Sequence, residues 1–211
     1  MLIVINIWGV YLLKEHNKSK LAINITNWRR KITSYEYSFL EFLALRNNFF
    51  YKLLMKWRKP VFLKEIKMAR ITPKDNILLI GGGFLPSESI IITETTNAKV
   101  VTIDNNPRAC KHANAFLKKR GLSDKIIVKH GDGVNFPVEK FNVVFIAISV
   151  WPINSVFKNL TINLRENARI MCKCYKEDIM NILNHEGIVD SLKLVSKIDN
   201  PSSKSYLFVK K

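Results

Sequence analysis

Five short apolar runs of strand length punctuate the last two thirds of the chain: Asn76–Ile80, Lys99–Ile103, Lys125–Val128, Asn142–Ile148 and Arg169–Cys174. Their apolar residues are continuous rather than alternating, which is the pattern of strands covered on both faces. Segments of helical length fill the gaps: Ser87–Thr96, Pro107–Arg120 and Ile153–Leu164. Pro107 suits a first helical turn, where a missing N–H costs nothing, and Gly121 supplies a stop. Strand alternating with helix predicts an α/β fold with a doubly wound, mostly parallel sheet. Leu192–Ile198 and Ser205–Lys210, around the turn Pro201-Ser202-Ser203, predict a C-terminal antiparallel hairpin at the sheet edge.

The pattern before Asn76 is different. Thr33-x-x-Glu36 has the form of a capping box. Phe39, Phe42, Leu43, Phe49, Phe50, Leu53, Leu54 and Trp57 then recur close to helical spacing. Pro60 is expected to break this helix, leaving a second short one over Val61–Met68 that Pro73 closes. The first 25 residues fit helix and strand equally. The chain therefore divides into a mostly helical N-terminal cap, residues 1–75, and an α/β domain, residues 76–211.

Charge sharpens the division. The net charge is +17, and residues 1–75 carry 15 Lys+Arg against 5 Asp+Glu, while residues 76–211 carry 19 against 12. Such a field attracts nucleic acid, anionic lipid or acidic small molecules, though a solvated basic surface explains it as well. The cysteines, Cys110, Cys172 and Cys174, lack paired zinc spacing and are odd in number, so they read as buried thiols rather than as a disulfide framework or a metal site. No apolar stretch has the length of a spanning helix, and Met1–Leu13 lacks a basic n-region and a cleavage site. A soluble, cytoplasmic protein is the expectation.

The chemistry concentrates where strands end. Gly81-Gly82-Gly83-Phe84-Leu85-Pro86 follows the first strand, and glycine there lets a ligand approach the backbone closely. The spacing is not GxGxxG. A pyrophosphate needs backbone N–H donors, and Pro86 has none. The loop suits a ligand without a pyrophosphate, such as adenosine joined to an amino acid. Asp104, with Asn105 beside it, ends the second strand 21 residues after Gly83, where a carboxylate can accept from both ribose hydroxyls. Gly131-Asp132-Gly133 follows the third strand and can present Asp132 to an adenine amino group. Ala147-Ile148-Ser149-Val150-Trp151-Pro152 closes the open edge of the cleft after the fourth. Ligands in such sheets bind beyond the carboxyl ends of the strands, where these loops converge.

Gly-Gly-Gly-Phe-Leu-Pro-Ser at 81–87 resembles the loop of nicotianamine synthases and related aminobutanoyl transferases, and Ser155–Leu160 with Arg169-Ile170-Met171 is similar to their later half. The resemblance spans about residues 76–185. It implies a Rossmann-like domain of the class I methyltransferase type, S-adenosylmethionine as cofactor, and transfer either of a methyl group or of an aminobutanoyl group to an amine with release of methylthioadenosine. The family draws a catalytic glutamate from a longer N-terminal helical domain. Here Tyr35, Glu36, Tyr37, Glu41 and Tyr51 are the available substitutes, with Glu36, Glu41 and Tyr51 the catalytic candidates. Methyl transfer to a small molecule is the first reading; an RNA methyltransferase and a non-catalytic binding module are the alternatives. No Asn-Pro-Pro-Tyr-like tetrapeptide follows the fourth strand, where base-amino methyltransferases carry one. The partners left open are a small-molecule acceptor (an amine or an anion), nucleic acid, and a second copy in a homodimer. No metal is expected.

Overall fold

The computed structural model describes residues 3–6, 9–12, 28, 32, 35, 36, 38–200 and 203–211. In the stretch that fits helix and strand equally, Ile3–Asn6 (β1) pairs antiparallel with Gly9–Leu12 (β2). Helical residues 38–46 (α1) lead into Asn48–Met68 (α2). The main sheet contains Asn76–Ile80 (β3), Lys99–Asp104 (β4), Ile126–His130 (β5), Val143–Ile146 (β6), Arg169–Cys174 (β7), Leu192–Asp199 (β8) and Lys204–Lys210 (β9). Its order is β5-β4-β3-β6-β7-β9-β8. The first five strands are parallel, and β9 runs antiparallel between β7 and the edge strand β8. Ser87–Thr96 (α3), Pro107–Lys119 (α4) and Ile153–Asn163 (α5) pack along the sheet, while Lys176–Leu183 (α6) and Glu186–Val189 (α7) lead into the hairpin. The doubly wound sheet and its edge hairpin are thus as the apolar pattern predicts. Residues 201 and 202 of the hairpin turn, and the Thr33 cap, lie outside the described residues.

The continuous apolar runs of β3, β4, β6 and β7 have their cause in two cores, one on each face of the sheet. The run at β5, expected to be covered on both faces, is instead an edge strand that buries Ile126 and Val128 in a third core and leaves Ile127 exposed. On one face of the sheet, Leu78, Ile80, Val144 and Ile146 pack with Val156, Phe157 and Phe208. On the other, Ile77, Leu79, Val143 and Phe145 pack with Phe62, Ile66, Ile91 and Ile92. Cys172 and Cys174 are buried together in the first of these.

The expected break at Pro60 does not occur. Helix α2 runs through it as one piece of 21 residues. Proline removes one i→i−4 hydrogen bond, to Lys56, and both residues are exposed, so the freed carbonyl lies on the solvent side. Burial of Phe62, Glu65 and Ile66 on the opposite side holds the second half in line. The break falls instead at Asn47, whose Oδ1 accepts the N–H of Phe49 at 2.8 Å as an N-cap. Nor does packing stop at residue 76: Phe62, Ile66 and Ala69 share a core with the strands. At the far end of the sheet, Asp75 accepts from Arg169 and from Asn142 Nδ2, pinning the connection from α2 to β3. No helix among the described residues is long and apolar enough to cross a membrane.

Candidate cofactor cleft

A cleft of about 340 Å³ opens at the carboxyl ends of β3, β4, β5 and β6. It falls in the range of small-molecule sites, roughly 300–1,000 Å³. Gly81–Pro86, Asp104, Asn105, Gly131–Gly133, Ala147 and Ser149 all line it, so the structure brings the sequence-derived cofactor candidates together. Helices α1 and α2 form the opposite wall through Glu41, Trp57, Arg58 and Phe62.

The backbone donors of the glycine loop are bonded to β4 and to α1. Gly81 and Gly82 donate their N–H groups to Ile103 O at 2.8 and 3.1 Å. Gly83 N–H goes to Asp104 Oδ2 at 2.8 Å. Phe84 and Leu85 donate to Glu41 Oε2 at 3.0 and 3.3 Å. Pro86 has no donor. Every donor of the loop is therefore taken by the protein, two of them by the Glu41 carboxylate, and a phosphate in a dinucleotide fold needs such backbone donors. Glycine is required here: Gly81 and Gly83 have φ of +89° and +66°, and a Cβ on Gly82 would overlap the buried Thr102 side chain.

Asp104 sits at the end of β4, half-buried. Its Oδ1 accepts from Asn106 N–H at 2.9 Å, and Asn106 in turn caps α4 ahead of Pro107. A carboxylate offers about four acceptor positions, and Gly83 and Asn106 use two. Asp132 is exposed, with Oδ1 holding a turn through Val134 N–H at 3.0 Å, while Asn159 Nδ2 braces the same loop through Gly133 O at 2.9 Å.

The catalytic candidates separate. Glu41 is 7% exposed and lines the cleft. Arg58 Nη1 donates to its Oε1 at 3.1 Å and to Ser87 Oγ at 2.6 Å. Burial pushes the Glu41 carboxyl above the usual carboxylate range, although Arg58 and the loop N–H groups pull the other way. Glu36 and Tyr35 are exposed and do not line the cleft. Tyr51 lies in the core, its ring 5.4 Å from Phe116 with the Arg120 guanidinium over it, and does not reach the cleft either. Its helical position explains this: residues 51 and 58 are one heptad apart on α2, but Tyr51 is two turns further from the strand ends. Tyr37 lies outside the described residues.

Two charged residues that line the cleft, Arg58 and Lys173, escape sequence reasoning. Arg58 stands in the basic run Lys56-Trp57-Arg58-Lys59, and its partner Glu41 lies 17 residues away across the Asn47 break. Lys173 is joined to Glu65 at 3.3 Å and Glu88 at 3.2 Å, with its ammonium 4.0 Å from the centroid of the Phe62 ring. Burial draws Lys173 down, yet the two carboxylates outweigh it and hold the ammonium above its ordinary value. A lysine between two cysteines in an apolar strand was the available signal, because buried lysines are paired.

No family model matches the chain, and no curated protein matches it in sequence. Solved structures do. A variant of the nicotianamine synthase MtNAS superposes with a TM-score of 0.73 at 17% identity, over 93% of this chain and 78% of that one. MtNAS in complex with MTA and tNA gives 0.67 at 18%, over 82% and 69%. An RNA methyltransferase from Salinibacter ruber, in complex with S-adenosyl-L-homocysteine, gives 0.60 at 17%, over 72% and 92%. The chain has the class I methyltransferase fold. The match to MtNAS reaches beyond the sheet, since 93% of 211 residues cannot be covered without part of the first 75.

Proposed function

We propose that this chain is an S-adenosylmethionine-dependent transferase acting on a small molecule, with methyl as the first reading of the group transferred. The observation that carries the proposal is the pairing of Asp104 with a glycine loop whose donors are all engaged. An adenosine ribose finds acceptor positions at Asp104, and a phosphate finds no donor in the loop. A Cβ at Gly131 or Gly133 would meet Phe136 or Ile80 at 2.8 and 2.7 Å, so these glycines let the loop that carries Asp132 pack closely against the core beside the cleft, where Asp132 can meet an adenine edge. Ala147 and Ser149 bound the remaining side. Solved relatives of this fold hold S-adenosyl-L-homocysteine or MTA, which supports the same ligand class here.

When bound, S-adenosylmethionine supplies a sulfonium with three electrophilic carbons, of which the methyl is the least hindered. The residues of this chain then position and deprotonate. In-line approach at near-contact distance supplies much of the rate, and the α1–α2 wall, with Glu41, Arg58 and Phe62, faces the strand ends from which that approach is set. An attacking amine or hydroxyl must lose a proton, and Glu41 is a buried carboxyl with a raised affinity for one. Arg58 holds Glu41 Oε1 and Ser87 together, fixing the acid against the loop.

Aminobutanoyl transfer to an amine is the second reading, favoured by the reach of the MtNAS match into the N-terminal helices that carry Glu41. One experiment separates the two. The protein is incubated with S-adenosylmethionine and a metabolite extract, and the spent nucleoside is identified by mass spectrometry. S-Adenosylhomocysteine is the expected product; methylthioadenosine replaces the first reading by the second. Cofactor binding without either product leaves a non-catalytic module.

A further inference from the structure

The outer face of α2 is apolar where a solvent-facing helix should be polar. Phe50, Leu53 and Trp57 follow one another at three- and four-residue spacing, and Phe49 stands four residues before Leu53, which puts them on one stripe. Their exposures are 68, 41, 53 and 59%. Phe39 and Phe42 on α1 are also exposed, at 62 and 43%. Large exposed apolar residues grouped in this way mark an interaction surface.

Charge identifies the occupant. Between Phe42 and Lys74 the chain has nine Lys+Arg (residues 46, 52, 56, 58, 59, 64, 67, 70 and 74) and a single acid, Glu65, which is buried. Lys52, Lys56 and Lys59 recur at helical spacing, exposed beside the apolar stripe. Helices lying in the plane of a bilayer have this construction, with apolar side chains entering the boundary by roughly 5–10 Å and lysines remaining at anionic headgroups. Leucine contributes nothing to base stacking, so the aliphatic member of the stripe favours lipid over nucleic acid. A second copy laid on the same face would bring rows of lysine near each other, which opposes self-association.

We propose that α2, through Phe49, Phe50, Leu53 and Trp57 with the lysine row at 52, 56 and 59, docks this protein on anionic membrane surfaces. Trp57 also lines the cleft, so docking sets the cleft mouth at the lipid boundary.

Flotation of the full chain with vesicles tests this. Phosphatidylcholine vesicles containing phosphatidylserine should carry the protein, pure phosphatidylcholine should carry at least tenfold less, and added salt should weaken the binding. Phe49→Ser with Phe50→Ser should reduce partition into the anionic vesicles by tenfold or more, and Lys52→Glu, Lys56→Glu and Lys59→Glu together should abolish the lipid preference. All five positions are exposed, and thermal melts of the variants report whether the fold is kept. The proposal is overturned if the wild-type chain does not float with anionic vesicles, or if Phe49→Ser/Phe50→Ser floats as well as wild type. It is equally overturned if the face instead proves to hold RNA or a second copy, read as salt-sensitive RNA binding without vesicle binding, or as a dimer dissolved by the phenylalanine variant.

Discussion

The carboxylate of Glu41 accepts the backbone N–H of Phe84 at 3.0 Å, across the gap between helix α1 and the glycine loop. A Cβ on Gly83 would lie 2.7 Å from the same oxygen, so the loop's last glycine and the acid are fitted to one another. The helical wall and the sheet meet through this contact, and it fixes which ligands the loop can greet.

Ligand selectivity follows. S-Adenosylhomocysteine should raise the melting temperature, whereas NADH and ADP-ribose at the same concentration should leave it unchanged. The loop has no donor left for a pyrophosphate. A shift with NADH as large as that with S-adenosylhomocysteine would show those donors to be available.

Asp104→Ala should weaken S-adenosylhomocysteine binding by about 1.5–3 kcal/mol, the range for a hydrogen bond to a charged group. Isothermal titration reads the loss directly. Because Asp104 also holds Gly83 and Asn106, part of the effect is loosening of the loop. Asp104→Asn, which keeps an acceptor, should recover part of the affinity, and wild-type binding by Asp104→Ala removes the residue from the site.

Gly82→Ala should cost about 1–3 kcal/mol of stability through overpacking. The added methyl meets Thr102 Cγ2, and Thr102 is buried and bonded to Ser89 Oγ at 2.6 Å, so it cannot swing away freely. Thr102→Ser keeps that hydrogen bond and deletes the obstructing methyl. Urea melts of the double variant should therefore show most of the loss restored, and strictly additive effects would rule out the clash as its cause.

The raised Glu41 carboxyl predicts opposite pH trends for rate and stability. As a base it works ionised, so kcat/KM should climb as pH rises through a value above the ordinary 4.5, and Glu41→Gln should lose that limb. For stability, the folded state binds the proton more tightly than the unfolded one. Glu41 therefore contributes fully below about 4.5, and that contribution is lost as pH rises through the raised value. Urea melts at a series of pH values check the second trend; a wild-type rate profile identical to that of Glu41→Gln contradicts the first.

Sequence alone determined the sheet, its edge hairpin and the loops that bound the cleft. The reason is physical: a strand buried on both faces must be apolar, as Ile77–Ile80 is, and a loop with left-handed backbone favours glycine, as at Gly81 and Gly83. These constraints are local and leave their mark in consecutive residues. The helical wall was only partly legible. Pro60 obeyed packing rather than propensity, because Phe62, Glu65 and Ile66 are buried on the sheet side of α2. Tyr51, Glu36 and Glu41 were equal in sequence and became unequal only when the Asn47 turn aimed Glu41 at the loop, Tyr51 at Phe116 and left Glu36 in solvent. Arg58 and Lys173 found their partners 17 residues and more away. Pairings at that range carry no periodicity, so they belong to the tertiary structure, which alone decided what faces the cleft.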